Sequence, residues 1–147
     1  MLTVSILIMT LVLLFDQVTK FLVVTNLAYG ESIPILFNIV AITYVHNFGA
    51  AFGLFAGQRM VFILAVLVIV VVLIIWRKDF FQAGPVAMHG GGLLMGGALG
   101  NLVDRVRLGY VVDFIEVGWW PVFNIADSAI VIGAVSLVLL TIRSELQ

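Results

Sequence analysis

Hydrophobic residues run in four long blocks, and polar side chains break the pattern mainly at the block ends. The blocks are Met1–Val24, Met60–Trp76, about Pro85–Val103 and about Phe123–Ile142. Each holds roughly 17–24 residues, against the ~20 a helix needs to cross ~30 Å of hydrocarbon. Arg59 and the Arg77-Lys78 pair bracket the second block sharply. The first block has no basic stretch before it and no small-residue cleavage site after it, so it reads as a retained helix and not as a removable leader. The pattern predicts an all-α integral membrane fold of four transmembrane helices, forming one domain over residues 1–147.

The first two connections differ. Arg77 to Gly84 is short, whereas Thr25 to Arg59 is long and not polar enough to be disordered. Within the long loop, Ile39–Val45 is a β-branched and aromatic run that predicts a strand. Gly30-Glu31-Ser32 and Pro34 punctuate its start. The stretch Gly49–Phe55 predicts a short helix lying in the membrane interface, beside a small extramembrane β-sheet.

An even number of spans brings the end of the first helix, the start of the second, the end of the third and the start of the fourth to one membrane face. Four polar motifs sit at those ends: Asp16-Gln17-Val18-Thr19-Lys20; His46-Asn47-Phe48-Gly49-Ala50-Ala51-Phe52; Gly100-Asn101-Leu102-Val103-Asp104-Arg105 with Val112-Asp113-Phe114; and Phe123-Asn124-Ile125-Ala126-Asp127-Ser128. An ionised acid in hydrocarbon costs about 2.5–3.5 kcal/mol on insertion scales, so several at one depth point to a site built at a membrane surface.

Composition agrees with the pattern: 63% of residues are hydrophobic, 10% are charged, and the mean hydropathy is +1.25. A net charge of −1 offers no basic patch for a nucleic acid. The absence of cysteine excludes disulfides, thiol catalysis and Cys-ligated metal, and also excludes the chain from carrying a cysteine-linked lipid itself. Two histidines, His46 and His89, make no zinc site, and neither a metal nor a cofactor is expected. Charge bias does not orient the chain: Arg77, Lys78 and Arg143 on one side balance Arg59, Arg105 and Arg107 on the other.

Each motif has a structural and a chemical reading. Asp16 and Lys20 are four apart on one helix face and predict a buried ion pair that fixes packing. Gly92, Gly96 and Gly100 share a face on which another helix can approach closely; Asp104 continues it, and Ala129 and Gly133 of the fourth helix make that helix a plausible partner. Asn47 either satisfies a turn or reaches a bound peptide, and His46 reads as a surface residue. Asn124 with Asp127 three later resembles a capping box, at a helix end set among apolar residues. Asp104 followed by Arg105 reads as an interfacial ion pair. Asp113 lies in an apolar, strand-like run that should raise its pKa. Asp104, Asp113 and Asp127 thus converge from one hairpin. Two such carboxyls sharing a proton can activate water and protonate a carbonyl or leaving group. On the residues alone, Asp104 with Asp127 competes with Asp113 with Asp127.

Together these motifs resemble the lipoprotein signal peptidases, or signal peptidase II, bacterial aspartyl peptidases of the cytoplasmic (inner) membrane. The matching set is Asp16-Gln17-x-x-Lys20, Asn47-x-Gly49-Ala50-Ala51-Phe52, Gly100-Asn101-x-x-Asp104-Arg105, Val111-Val112-Asp113-Phe114 and Phe123-Asn124-Ile125-Ala126-Asp127, in order along the chain. The resemblance implies cleavage of prolipoproteins just before the cysteine that carries diacylglycerol, and inhibition by the cyclic peptide globomycin. It implies that Asp113 and Asp127 are the catalytic pair. Asn101, Asp104, Arg105 and Asn124 would support that pair and the substrate backbone, and Asn47 and Gly49 would belong to a loop closing over the substrate. Asp16 and Lys20 would be structural, and the site would face the periplasmic or outer side. Two other classes compete. A small ion or proton-coupled transporter would place its acids nearer the midplane, often in repeats, and none is visible. A structural module would leave Asp113 without a reason.

Overall fold

The computed structural model describes residues 1–37, 39–49 and 57–145. Five helices and four strands follow in the order α1 (Leu2–Asn26), β1 (Ser32–Leu36), β2 (Val40–Asn47), α2 (Arg59–Ile75), α3 (Arg77–Gln82), α4 (Pro85–Arg107), β3 (Val111–Val117), β4 (Trp120–Phe123) and α5 (Ile125–Glu145). Helices α1, α4 and α5 are long and apolar enough to cross a membrane, while α2 is apolar but only 17 residues long. The interfacial helix expected over Gly49–Phe55 lies largely outside the described residues.

The bundle is built around α4. Half of its apolar window is buried, against 17% for α1 and for α5. Large apolar side chains on α1, α2 and α5, such as Phe15, Phe21, Leu64 and Leu139, point outward instead. This is the distribution expected where the solvent is lipid. Small residues make the centre of α4 possible. A Cβ on Gly92 would lie 2.8 Å from the Ser5 carbonyl oxygen, one on Gly96 2.7 Å from that of Met9, and one on Gly100 2.6 Å from Asp16 Oδ2. The 92/96/100 face therefore receives α1, not the predicted partner, the fourth helix. That helix, α5, packs on the adjoining face, where Gly133 abuts Gly90 and Leu94. A helix has room for both because residues 90 and 97 lie on a different stripe from 92, 96 and 100. We expect Gly96→Ala to push α1 outward and cost about 1–3 kcal/mol, read as a lower thermal unfolding midpoint in detergent. Gly91→Ala, whose Cβ would meet nothing within 4 Å, should be neutral or stabilising.

The four strands form one antiparallel sheet in the order β1-β2-β3-β4. The strand predicted over Ile39–Val45 is β2, running on through His46 and Asn47. Pro34 sits inside the edge strand β1 instead of ending the loop before it. An edge position tolerates proline because one side of the strand makes no ladder. Phe123, read as the start of the last helix, closes β4, and α5 begins at Ile125. Gly109, at φ +87, ends α4 and turns the chain into β3. Val112 and Phe114 of β3 pack with Val23 and Tyr44 in the core under the sheet. Alternation along a strand then sends Asp113 to the other face.

Candidate active site

The register of β2 and β3 sets Val45 opposite Asp113 and Asn47 opposite Val111. Asn47 and Asp113 thus share a face, and Asn47 Nδ2 donates to Asp113 Oδ2 at 2.7 Å. The other end of the Asn47 amide is fixed by its turn, since Gly49 N–H donates to Asn47 Oδ1 at 2.9 Å. The turn reading of Asn47 holds, and the turn aims the NH₂ of the amide at the acid.

Asn124 links the two acids. It is fully buried and precedes α5. Its Oδ1 accepts from Asp127 N–H at 2.8 Å, and its own N–H donates to Asp127 Oδ2 at 3.3 Å, the reciprocal pattern of a capping box. Its Nδ2 donates to Asp113 Oδ1 at 2.7 Å. Asn101 donates from Nδ2 to Asp127 Oδ1 at 2.7 Å, while its Oδ1 accepts from Asn124 Nδ2 at 3.1 Å and Lys20 Nζ at 3.0 Å. Three asparagines therefore donate to both oxygens of both carboxyls. Asp113 is only 1% exposed, and Asp127 is less deeply buried. Burial pushes the Asp113 pKa up to about 7, the Asp127 charge adds to the rise, and donation from Asn47 and Asn124 and the Lys20 charge oppose it.

Behind the pair lies a buried ionic layer. Lys20 Nζ is 2.9 Å from both Asp16 Oδ2 and Asp104 Oδ2. The predicted Asp16–Lys20 pair is present, and Asp104 makes it a triad. Asp16 Oδ1 also accepts from Ala126 N–H at 2.9 Å, and Asp104 Oδ2 from Val112 N–H at 3.1 Å. Gln17, which the sequence reading left without a role, donates to Asp104 Oδ1 at 3.0 Å. Its place beside Asp16 in a polar pair inside an apolar helix was the available signal. Asp104 is thus turned to Lys20 and α1.

Arg105 does not pair with Asp104 as expected: among the described residues, the ion pairs are those of Lys20. Adjacent helix positions point in different directions, so the two side chains diverge. Arg105 donates to the carbonyl of Gly49 at 3.2 Å and lies 4.6 Å from the centre of the Phe62 ring. It ties α4 to the loop after β2 and to α2. His46 is also not a plain surface residue. It stacks on Tyr110 with ring centres 3.8 Å apart, and its Nε2 lies 2.9 Å from the Tyr44 hydroxyl. Burial among these rings lowers its pKa. Ala50, Ala51 and Phe52 of the same motif lie outside the described residues.

Chemically, two buried carboxyls close enough to feel each other's charge, one with a pKa near neutrality, can exchange roles as base and acid. No group of three His, Asp or Glu side chains among the described residues is arranged to hold a metal ion.

Comparison with known proteins gives a consistent result. Residues 8–143 match the family model described as signal peptidase (SPase) II. A lipoprotein signal peptidase of Halothermothrix orenii is 46% identical over 135 residues, covering 92% of each chain. One of Moorella thermoacetica is 46% identical over 127 residues, covering 86% of this chain and 85% of its own. A bacterial membrane enzyme solved by the in meso method at 2.3 Å superposes with a TM-score of 0.92 at 35% identity, over 97% of this chain and 90% of that one.

Proposed function

The chain belongs to the signal peptidase II family, and from that premise we propose that Asp113 and Asp127 are the pair with which it cuts its substrate. It is an aspartic peptidase of the membrane, and its reaction is removal of the signal peptide from prolipoproteins. The transport reading is not favoured. One observation carries the assignment of the pair: Asp113 and Asp127 are each bonded by two donors drawn from Asn47, Asn101 and Asn124. Asp104 is the weaker candidate because it is engaged as a partner of Lys20.

In the mechanism we infer, one carboxylate takes a proton from water and the resulting hydroxide attacks the scissile carbonyl. The other, protonated, carboxyl donates to the carbonyl oxygen. Collapse of the tetrahedral intermediate breaks the C–N bond as one hydroxyl proton returns to the carboxylate that donated it and the proton held by the base goes to the departing amine. Asn101 and Asn124 keep the carboxyls oriented, Asn47 and Gly49 belong to the loop over the substrate, and Arg105 steadies that loop and the substrate backbone. Asp104, Asp16 and Lys20 hold this layer from behind. Activity should fall as pH rises through about 7, because ionising Asp113 removes the shared proton. Asn47→Ala removes a bond that lowers the Asp113 pKa, so it should move the basic limb of kcat/KM to higher pH. A limb that stays in place would contradict the role given to Asn47.

We read α2 as a fourth span. Its 17 residues reach about 26 Å at 1.5 Å per residue and lie between Arg59 and Arg77. The whole chain then acts as one peptidase domain. The exposed Trp119 and Trp120, at the β3–β4 hairpin, suit a membrane–water boundary. The sheet and the acids would lie at the periplasmic or outer face of the bacterial cytoplasmic membrane, with both termini inside. The bond cut is the one before a diacylglyceryl-modified cysteine, and cyclic peptides of the globomycin type would compete for the same site. The lipid acts by fixing the scissile bond at the depth of the two acids, a gain in orientation and effective concentration. Reconstituted protein should therefore cleave the lipidated precursor orders of magnitude faster than the unlipidated one in the same bilayer. Equal rates would contradict the proposal.

A further inference from the structure

At the end of the bundle opposite the two acids, an apolar crevice of about 250 Å³ separates the first turns of α1 from the last turns of α2, with α4 as its floor. Leu2, Ile6 and Met9 line one wall, Leu73 the other, and Met88 and Gly91 the floor. A second space of about 270 Å³ opens beside it, lined by Arg77, Lys78 and Gln82. The two share Leu2, Arg77 and Met88 and so adjoin, which lays out a path with basic side chains at one end and apolar ones at the other. Asp79, next in the same turn, lines neither.

We propose that this path is a binding site for an anionic phospholipid. The phosphate sits between Arg77 and Lys78, and one acyl chain enters the crevice between α1 and α2. Charge selects the class. Two cations at the mouth of a crevice between membrane helices favour an anionic headgroup over a zwitterionic one. The NH1 of Arg77 donates to the Ile74 carbonyl at 2.8 Å, which fixes the guanidinium at the end of α2. Gln82 adds a neutral donor at the rim. Gly91 leaves the crevice open: a Cβ there would meet nothing within 4 Å. The proposal does not depend on the identity of the catalytic pair.

The test is native mass spectrometry of the full chain released from detergent, titrated with phosphatidylglycerol, with phosphatidylcholine of the same chains, and with inorganic phosphate. The wild type should bind one phosphatidylglycerol in preference to phosphatidylcholine and should not respond to phosphate. Arg77→Gln with Lys78→Gln should weaken phosphatidylglycerol about 30-fold and abolish the preference. Gly91→Leu fills the crevice without changing charge and improves helix propensity. It should lose the bound lipid while keeping helical content and unfolding midpoint. Equal binding of the two lipids by the wild type, undiminished binding by Gly91→Leu, or displacement of the lipid by phosphate alone would overturn the proposal.

Discussion

Asp113→Asn and Asp127→Asn are each expected to leave a folded, membrane-inserted protein that has lost about 10²–10⁴-fold or more of its cleavage rate, because each removes one member of an acid–base couple. The surroundings make the substitutions informative. Both Asp113 oxygens accept, from Asn47 and Asn124. An amide in its place sets one NH₂ against a donor, and Asn47 cannot simply turn over because Gly49 N–H holds its oxygen. A stability loss of about 1–3 kcal/mol is therefore expected beside the loss of activity. Thermal unfolding in detergent separates the two effects. Near-normal turnover by either variant would remove that residue from the pair, and Asp104 would be the next candidate.

The second large effect is on stability. Lys20 is 3% exposed and is the shared ion-pair partner of Asp16 and Asp104. Lys20→Met strands two acids and removes one of the two donors to Asn101 Oδ1, so it should cost at least the roughly 3–5 kcal/mol typical of breaking a buried pair. Replacing only Asp16 beside it should rescue little, because Asp104 remains unpaired. Asp16→Asn and Asp104→Asn together should restore much of the loss, since each amide oxygen can still accept from Ala126 or Val112 N–H. Unfolding midpoints of the single, double and triple variants measure this. A triple variant no more stable than Lys20→Met alone would show that charge pairing is not what holds the layer.

Three helices long and apolar enough to cross a membrane, α1, α4 and α5, were legible in the sequence because an apolar run of that length has few other uses. The meeting of the polar motifs at one end followed from the order of the runs alone. Inside that end, local rules went only part of the way. Asp16 and Lys20 are one helical turn apart, so their pairing is written in the spacing. Asp104, the second partner of Lys20, is brought by helix packing through Gly100, which spacing does not report. Likewise the Gly92, Gly96 and Gly100 stripe announced a close helix contact without saying that α1 would fill it. Strand β4 was hidden because Trp120-Pro121-Val122-Phe123 is apolar and runs into the hydrophobic start of α5. His46 was misread because the ring it stacks on, Tyr110, comes from a distant part of the chain. Asn124 is the cap its spacing announced, and the same amide also holds Asp113, a contact that spacing along the chain does not report.

The central claim is that Asp113 and Asp127, held by three asparagines, cut a prolipoprotein immediately before its lipidated cysteine. The most direct measurement is the mass of the products when a diacylglyceryl-modified precursor is incubated in one vesicle preparation with the wild type and in another with Asp113→Asn. The account predicts a single cut before the modified cysteine from the wild type and intact precursor from the variant. A cut at another bond, or the same products from the variant at a comparable rate, would contradict it.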